Sequence, residues 1–234
     1  MDKALLLLLY KYSAEAEIMP NEQTRLDNLD CVYKAAYELF IENGVENTTK
    51  VMLVRKTCLS LSSVNRYFPS KLDCVVGTAR WLSHNMEEPN FFSLEHVFGS
   101  THSGYGDLES YMNQTKALFY ENPKLFVFCI ECRAYVFRNS KDRKRDCEAI
   151  RQAFGASRFI ENIFIRGIKD GSIRGMLDPK KEAIILREAY IDFLASVALS
   201  CDRDPRDSEW LIDHFIFETL ERCKADDFLP DYDT

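Results

Sequence analysis

The stretch that most constrains this 234-residue chain runs from Thr48 to Lys71, TTKVMLVRKTCLSLSSVNRYFPSK. Its spacing predicts two short helices set around a tight corner. Thr48 and Thr49 follow a loop containing Gly44 and suit a helix start, because a threonine oxygen accepts from the unpaired N–H groups of a first turn. Val51, Leu53 and Val54 are apolar at helical spacing, and Cys58-Leu59-Ser60 makes the corner. Ser60 is a second N-cap, opening a helix from Leu61 to Phe68 that packs through Val64 and Phe68. Pro69 ends that helix, since its ring disfavours the α region in the residue before it. Ser70 and Asp73 form a capping box that opens the next helix. A helix, a short turn and a second helix is the unit that lays a recognition helix in the DNA major groove.

AAYELFIENGVENTT (Ala35 to Thr49), Leu53-Val54, Leu59-Ser60 and VNRYFPSK (Val64 to Lys71) fall in one register without a gap. On these residues the segment from Leu29 to about Met86 resembles the N-terminal DNA-binding domain of the tetracycline-repressor (TetR) family of bacterial transcription regulators. The chain departs from the family pattern at Thr57-Cys58 (usually Ala-Gly), at Leu61-Ser62 (usually Lys-Gly) and at Asn65 (usually Tyr). A glycine would relieve a corner residue at positive φ, so Cys58 implies strain or a shifted corner. The resemblance implies that Lys50, Leu61, Ser62 and Asn65 face base edges, and that Thr49, Ser63, Tyr67 and Lys71 hold phosphates. Arg66 fits either role. Asn65 is the strongest reader chemically, because an amide pairs with adenine N6 and N7, whereas Leu61 can touch only a thymine methyl.

Nine Gly and seven Pro among long periodic segments predict an all-α chain. The net charge of −7 runs against DNA binding until it is divided along the chain. Residues 21–86 hold eight Lys and Arg against seven Asp and Glu, while residues 87–234 hold twenty against twenty-seven. Affinity for phosphates then depends on where Lys50, Arg55, Lys56, Arg66 and Lys71 stand. Eight cysteines, at 31, 58, 74, 129, 132, 147, 201 and 223, with no convincing secretory signal, fit reduced thiols in a cytoplasmic protein. Cys129 and Cys132 share one helix face and read as packed thiols; a redox sensor is the competing reading. The apolar run Ala4 to Leu9 is too short to cross a membrane.

The expected organisation is an arm over residues 1–22, a three-helix helix-turn-helix domain over 23–86 and a helical effector-binding and dimerisation domain over 87–234. Leu26, Leu29, Val32, Ala36 and Phe40 define the first helix, which Asn43-Gly44 stops. Gly and Pro between Glu87 and Gly106 mark the boundary. Helices follow over 107–120, 123–138, 140–171, 180–200 and 207–224, the third of these as one long helix. Tyr111, Phe119, Phe126, Glu131 and Tyr135 are the candidates to line an effector cavity of the kind the resembled family holds between these helices. The last two helices carry more apolar residues than one core needs, so Ile191, Leu194, Ala198, Leu211 and Phe215 are assigned to a homodimer interface. His84, His96, His102 and His214 lack metal-ligand spacing, and no phosphate loop or catalytic constellation is present, so neither metal, cofactor nor enzymatic activity is expected. The resemblance implies a homodimeric repressor that binds a double-stranded DNA operator and leaves it when a small-molecule effector binds. The alternative is a cysteine-based redox regulator, or a dimeric interaction module that has stopped binding DNA.

Overall fold

A computed structural model describes residues 20–85, 103–154, 157–200 and 204–228. The arm over 1–22 lies outside them except for its last three residues, as do His96, His102, Cys201 and most of the expected boundary at 87–106. Among the described residues the chain is all-α, with one isolated antiparallel bridge between Ile173 and Lys224. It forms two compact units, one joining the N-terminal helices to Glu131–Ala153 and one holding the remainder.

In the first unit, α1 (Pro20–Asn43) is followed by α2 (Lys50–Thr57), α3 (Leu61–Tyr67) and α4 (Lys71–Asn85). The end of α6 (Pro123–Asn139) and all of α7 (Arg143–Ala153) join them. Val32, Tyr33, Ala36, Leu39 and Phe40 recur every three to four residues on α1, and all are buried. Buried in the same unit are Leu53 of α2, Val64 of α3, Phe68, and Val75 and Ala79 of α4. The Tyr33 ring lies 5.1 Å from that of Phe68 and 6.4 Å from that of Trp81. A Cβ on Gly77 would stand 2.7 Å from that ring, so only glycine lets α4 approach Tyr33 this closely. The Trp81 indole N–H donates to Asp30 at 2.7 Å, which pairs the polar edge of a buried ring.

In the second unit, α5 (Gly104–Glu121) and the start of α6 pack with α8 (Ser157–Asp170), α9 (Pro179–Leu199) and α10 (Pro205–Cys223). The Tyr190 hydroxyl donates to the Met112 carbonyl at 2.9 Å in the core, and the Tyr190 ring stacks on Phe215 at 5.2 Å. Asp107, nearly enclosed, is paired with Arg166. The long helix expected over 140–171 is two helices, because α7 ends at Ala153 and Phe154 lies in a turn. The apolar periodicity runs on across this point in the sequence, so the pattern carries no mark of the break.

The corner between α2 and α3 is strained as its composition suggested. Cys58 caps α2 at φ 56°, ψ 16° in the left-handed region, and its side chain is exposed. Holding an L-residue there costs about 1–2 kcal/mol, while glycine loses some 0.4–1 kcal/mol in the unfolded chain. Cys58→Gly is therefore expected to raise the thermal midpoint by a few degrees, and Cys58→Val to lower it, in calorimetry on the full chain.

Candidate nucleic-acid interface

Three caps predicted from sequence set the local geometry. Thr49 caps α2 and its hydroxyl accepts from the Met52 N–H; Ser60 caps α3 and accepts from Ser63 N–H at 3.1 Å. The capping box at α4 is formed in both directions. Ser70 N–H donates to the Asp73 carboxylate at 2.9 Å, and Asp73 N–H donates to Ser70 Oγ at 3.1 Å. With Val64 and Phe68 turned into the core, α3 leaves Leu61, Ser62, Asn65 and Arg66 exposed on its other side. Ser63 and Tyr67 are half-buried at its edges, and Thr49 is exposed at the start of α2.

These side chains are linked to one another. Lys50 Nζ donates to Asn65 Oδ1 at 2.7 Å and to the Pro69 carbonyl at 2.9 Å, fastening the start of α2 to α3. Ser60, Ser62 and Ser63 join their hydroxyls at 2.8 and 2.9 Å around the first turn of α3. The Arg66 guanidinium lies 5.9 Å from the centre of the Tyr67 ring. Lys71 Nζ donates to the Glu46 carbonyl and sits 5.2 Å from the centre of the Tyr135 ring. Burial holds the Lys71 ammonium below its ordinary pKa, against the pull of nearby Glu46. Lys56 instead pairs with Glu38 at 2.9 Å, an α2–α1 contact whose hydrogen bond raises the Lys56 pKa. Beyond the end of α3 a cleft of about 570 Å³ is lined by Tyr33, Tyr67, Leu72, Val76, Arg80 and Asp146, among others.

The five residues assigned to an effector cavity divide between the units. Tyr111, Phe119 and Phe126 are buried in the second unit, where Phe119 and Phe126 meet edge-on at 5.4 Å. Burial raises the Tyr111 hydroxyl to a pKa of about 12, offset in part by Thr115 and by Arg187. Glu131 and Tyr135 belong to the first unit, where Glu131 Oε2 accepts the Val45 N–H at 2.8 Å and Tyr135 lies against Lys71. Sequence reading missed Arg187, a buried cation near Tyr111; its signal was a charge set between apolar residues in IILREAY. Of the interface residues, Ile191 and Leu194 are buried in the core of their own unit, while Ala198, Leu211 and Phe215 are half-exposed. No group of His, Cys, Asp and Glu among the described residues could hold a metal ion. No helix among them is long and apolar enough to cross a membrane.

Cys129 and Cys132 are both fully buried, and burial raises the Cys74 thiol to about 12 and that of Cys223 to about 11. A thiol reacts as its thiolate and only where reagent reaches it. Under native conditions at neutral pH, an alkylating reagent is therefore expected to label Cys31 and Cys58 first, with Cys74, Cys129, Cys132 and Cys223 reacting after denaturation. Peptide mass spectrometry over a time course checks this, and early modification of Cys129 or Cys132 would restore the redox reading.

No protein-family model matches the chain, and no curated protein matches it in sequence. Solved structures do match it. The transcriptional regulator FadR from Bacillus subtilis, in complex with stearoyl-CoA, is 14% identical with a TM-score of 0.63, covering 82% of this chain and 97% of its own. A TetR-family transcriptional regulator from Agrobacterium tumefaciens is 17% identical with a TM-score of 0.62, covering 86% of this chain and 100% of its own. SmeT, in complex with triclosan, is 20% identical with a TM-score of 0.60, covering 88% of this chain and 96% of its own. The chain thus has the fold of the TetR-family transcriptional regulators.

Proposed function

We propose that this protein is a sequence-specific DNA-binding transcriptional regulator, acting as a homodimer and released from its operator by a small-molecule effector. The observation that carries the reading is the exposed face of α3. Leu61, Ser62, Asn65 and Arg66 stand outward over a core that holds Val64 and Phe68, within a fold that matches TetR-family structures. Residues 23–86 are the DNA-binding domain in this reading, braced by the 131–153 segment that packs with them. Lys50 and Asn65 act as a pair. The Asn65 amide oxygen accepts from Lys50 with one of its two lone pairs, which leaves the other for adenine N6 while the amide N–H donates to N7. Lys71 has three N–H donors, and the Glu46 carbonyl takes one, so it keeps donors for a phosphate.

Effector binding belongs to the second unit, where Tyr111, Phe119 and Phe126 supply aromatic surface and Arg187 a buried cation. The structural neighbours in complex with stearoyl-CoA and with triclosan support a small-molecule effector. Burial of Cys129 and Cys132 weighs against the redox alternative. Dimerisation uses α9 and α10 through side chains their own unit leaves uncovered. Trp210 and Phe217, about 60% exposed, lie seven residues apart on one face of α10 with His214 between them. On α9, Ile185 and Leu199 are about half exposed or more. Ile191 and Leu194 support this surface from beneath.

Asn65→Ala is expected to cost about 1–3 kcal/mol on the preferred duplex and much less on scrambled DNA. Lys71→Ala should weaken both duplexes alike and lower the salt slope by roughly 0.9 for each phosphate that is no longer neutralised. Titrations of both duplexes at several salt concentrations decide between these roles, and equal losses for Asn65→Ala on the two duplexes would remove it as a base reader. For assembly, Phe217→Asp should release folded monomers at micromolar concentration, whereas Leu194→Asp should destabilise the protomer itself. Sedimentation velocity with circular dichroism checks this; a dimer untouched by Phe217→Asp contradicts the assigned surface.

A further inference from the structure

The loop that enters the helix-turn-helix and the residue that leaves it are held by one face of one helix. Gly44 follows α1 at φ 79°, and its N–H donates to Phe40 O at 2.8 Å. The buried Thr48 hydroxyl lies 3.1 Å from Leu39 O and 2.9 Å from Gly44 O, folding residues 44–48 back on α1. Glu131 Oε2 then accepts the Val45 N–H at 2.8 Å. A Cβ on Gly44 would stand 3.1 Å from Glu131 Oε1, so the carboxylate fills the space that the glycine leaves. One turn along α6, the nearly buried Tyr135 ring lies against the Lys71 ammonium, which donates to Glu46 O. A further turn on, Arg138 pairs with the Glu46 carboxylate at 2.8 Å. Positions 131, 135 and 138 fall on one helix face.

These contacts differ in weight. The Arg138–Glu46 pair is more than half exposed on both sides and contributes little. The Glu131 contact is charge-assisted and satisfies a backbone N–H on Val45, a residue 1% exposed; without it that donor is left unmet. The Tyr135 contact fixes a long, otherwise mobile side chain at the first residue of α4. Lys50 opens α2 four residues after Glu46, and Lys71 follows α3 by four residues.

We propose that Glu131 and Tyr135 are positioning residues for DNA recognition, holding the Gly44–Glu46 turn and Lys71 so that α2 and α3 present their side chains together. This rests on the DNA-binding reading above. Neither residue need touch DNA or effector.

The test uses the full chain and a duplex that the wild-type protein has selected from a random-sequence pool. Affinities for that duplex and for a scrambled one are read by fluorescence anisotropy well below the thermal midpoint, which is measured for every variant. Glu131→Gln keeps an oxygen to accept from Val45 and should stay within about threefold of wild type on the selected duplex. Glu131→Ala should lose about tenfold there, the factor that 1.4 kcal/mol represents, and lose less on scrambled DNA. Tyr135→Phe keeps a ring beside Lys71 and should bind normally, while Tyr135→Leu should lose about threefold to tenfold. At Glu131 a merely structural role would move the midpoint and leave the selected-to-scrambled ratio unchanged; at Tyr135, whose partner Lys71 is assigned to a phosphate, loss of the positioning role instead lowers the salt slope on both duplexes, as Lys71→Ala does. Equal effects of Ala and Gln at 131 together with equal effects of Leu and Phe at 135, or an unchanged ratio in Glu131→Ala together with an unchanged salt slope in Tyr135→Leu, overturn the proposal. Should wild type select no duplex, the DNA-binding reading fails and this proposal falls with it; should it select one that all four variants bind equally, only this proposal falls.

Discussion

The Tyr33 side chain is the contact on which the arrangement of the first unit depends. Its ring touches Phe68 just beyond α3, Trp81 on α4 and the bare backbone of Gly77, so a single residue of α1 sets the positions of both helices. Helix α3 has seven residues, far fewer than an isolated helix needs to persist in water. It persists because Val64 and Phe68 are buried at its inner side, worth roughly 1.5–3 kcal/mol each. The exposed residues of α3 are therefore placed by packing beneath them and by the Ser60 cap, with little contribution from the helix's own propensity.

The charge of the molecule makes sense on the same scale. A chain of net charge −7 gains nothing from its overall field when it approaches DNA, and at physiological salt charges act over only about 8 Å. Under the proposed function, what counts is where single cations stand beside α3. Lys50 rests on Asn65 and the Pro69 carbonyl, and Lys71 on Tyr135 and the Glu46 carbonyl. Under the proposed function, such contacts restrain the ammonium groups before DNA arrives and reduce the side-chain entropy lost on binding.

Much of the first unit was legible in the sequence because its signals are local. Threonine, serine and aspartate caps act over three residues, and the strain at Cys58 followed from a residue type standing where a left-handed conformation is required. The all-α class followed from sparse glycine and proline. The effector and interface residues depended on which side of a helix faces which neighbour, and periodicity alone leaves that open. Apolar residues run nearly all round α9, so Ile191 and Leu194 look the same in sequence as Ile185 and Leu199, yet the first pair is core and the second is exposed. Glu131 and Tyr135 lay in an apolar helix that the sequence assigned wholly to the second domain. Their partners Val45 and Lys71 are 86 and 64 residues earlier in the chain, and no local pattern records such pairings. The break at Phe154 was missed for the opposite reason, since the strong periodic signal of Ile150, Phe154, Ile160 and Ile163 runs straight across it.

Under the proposed function, two copies of α3 read DNA as a symmetric pair. Footprinting the full chain on genomic fragments that it has itself enriched tests this most directly. Two protected half-sites of inverted sequence are expected, their centres about one helical turn or a multiple of it apart, with protection lost by the Asn65→Ala variant. Enrichment of no sequence above the input, or protection of a single half-site by a monomer, would contradict it.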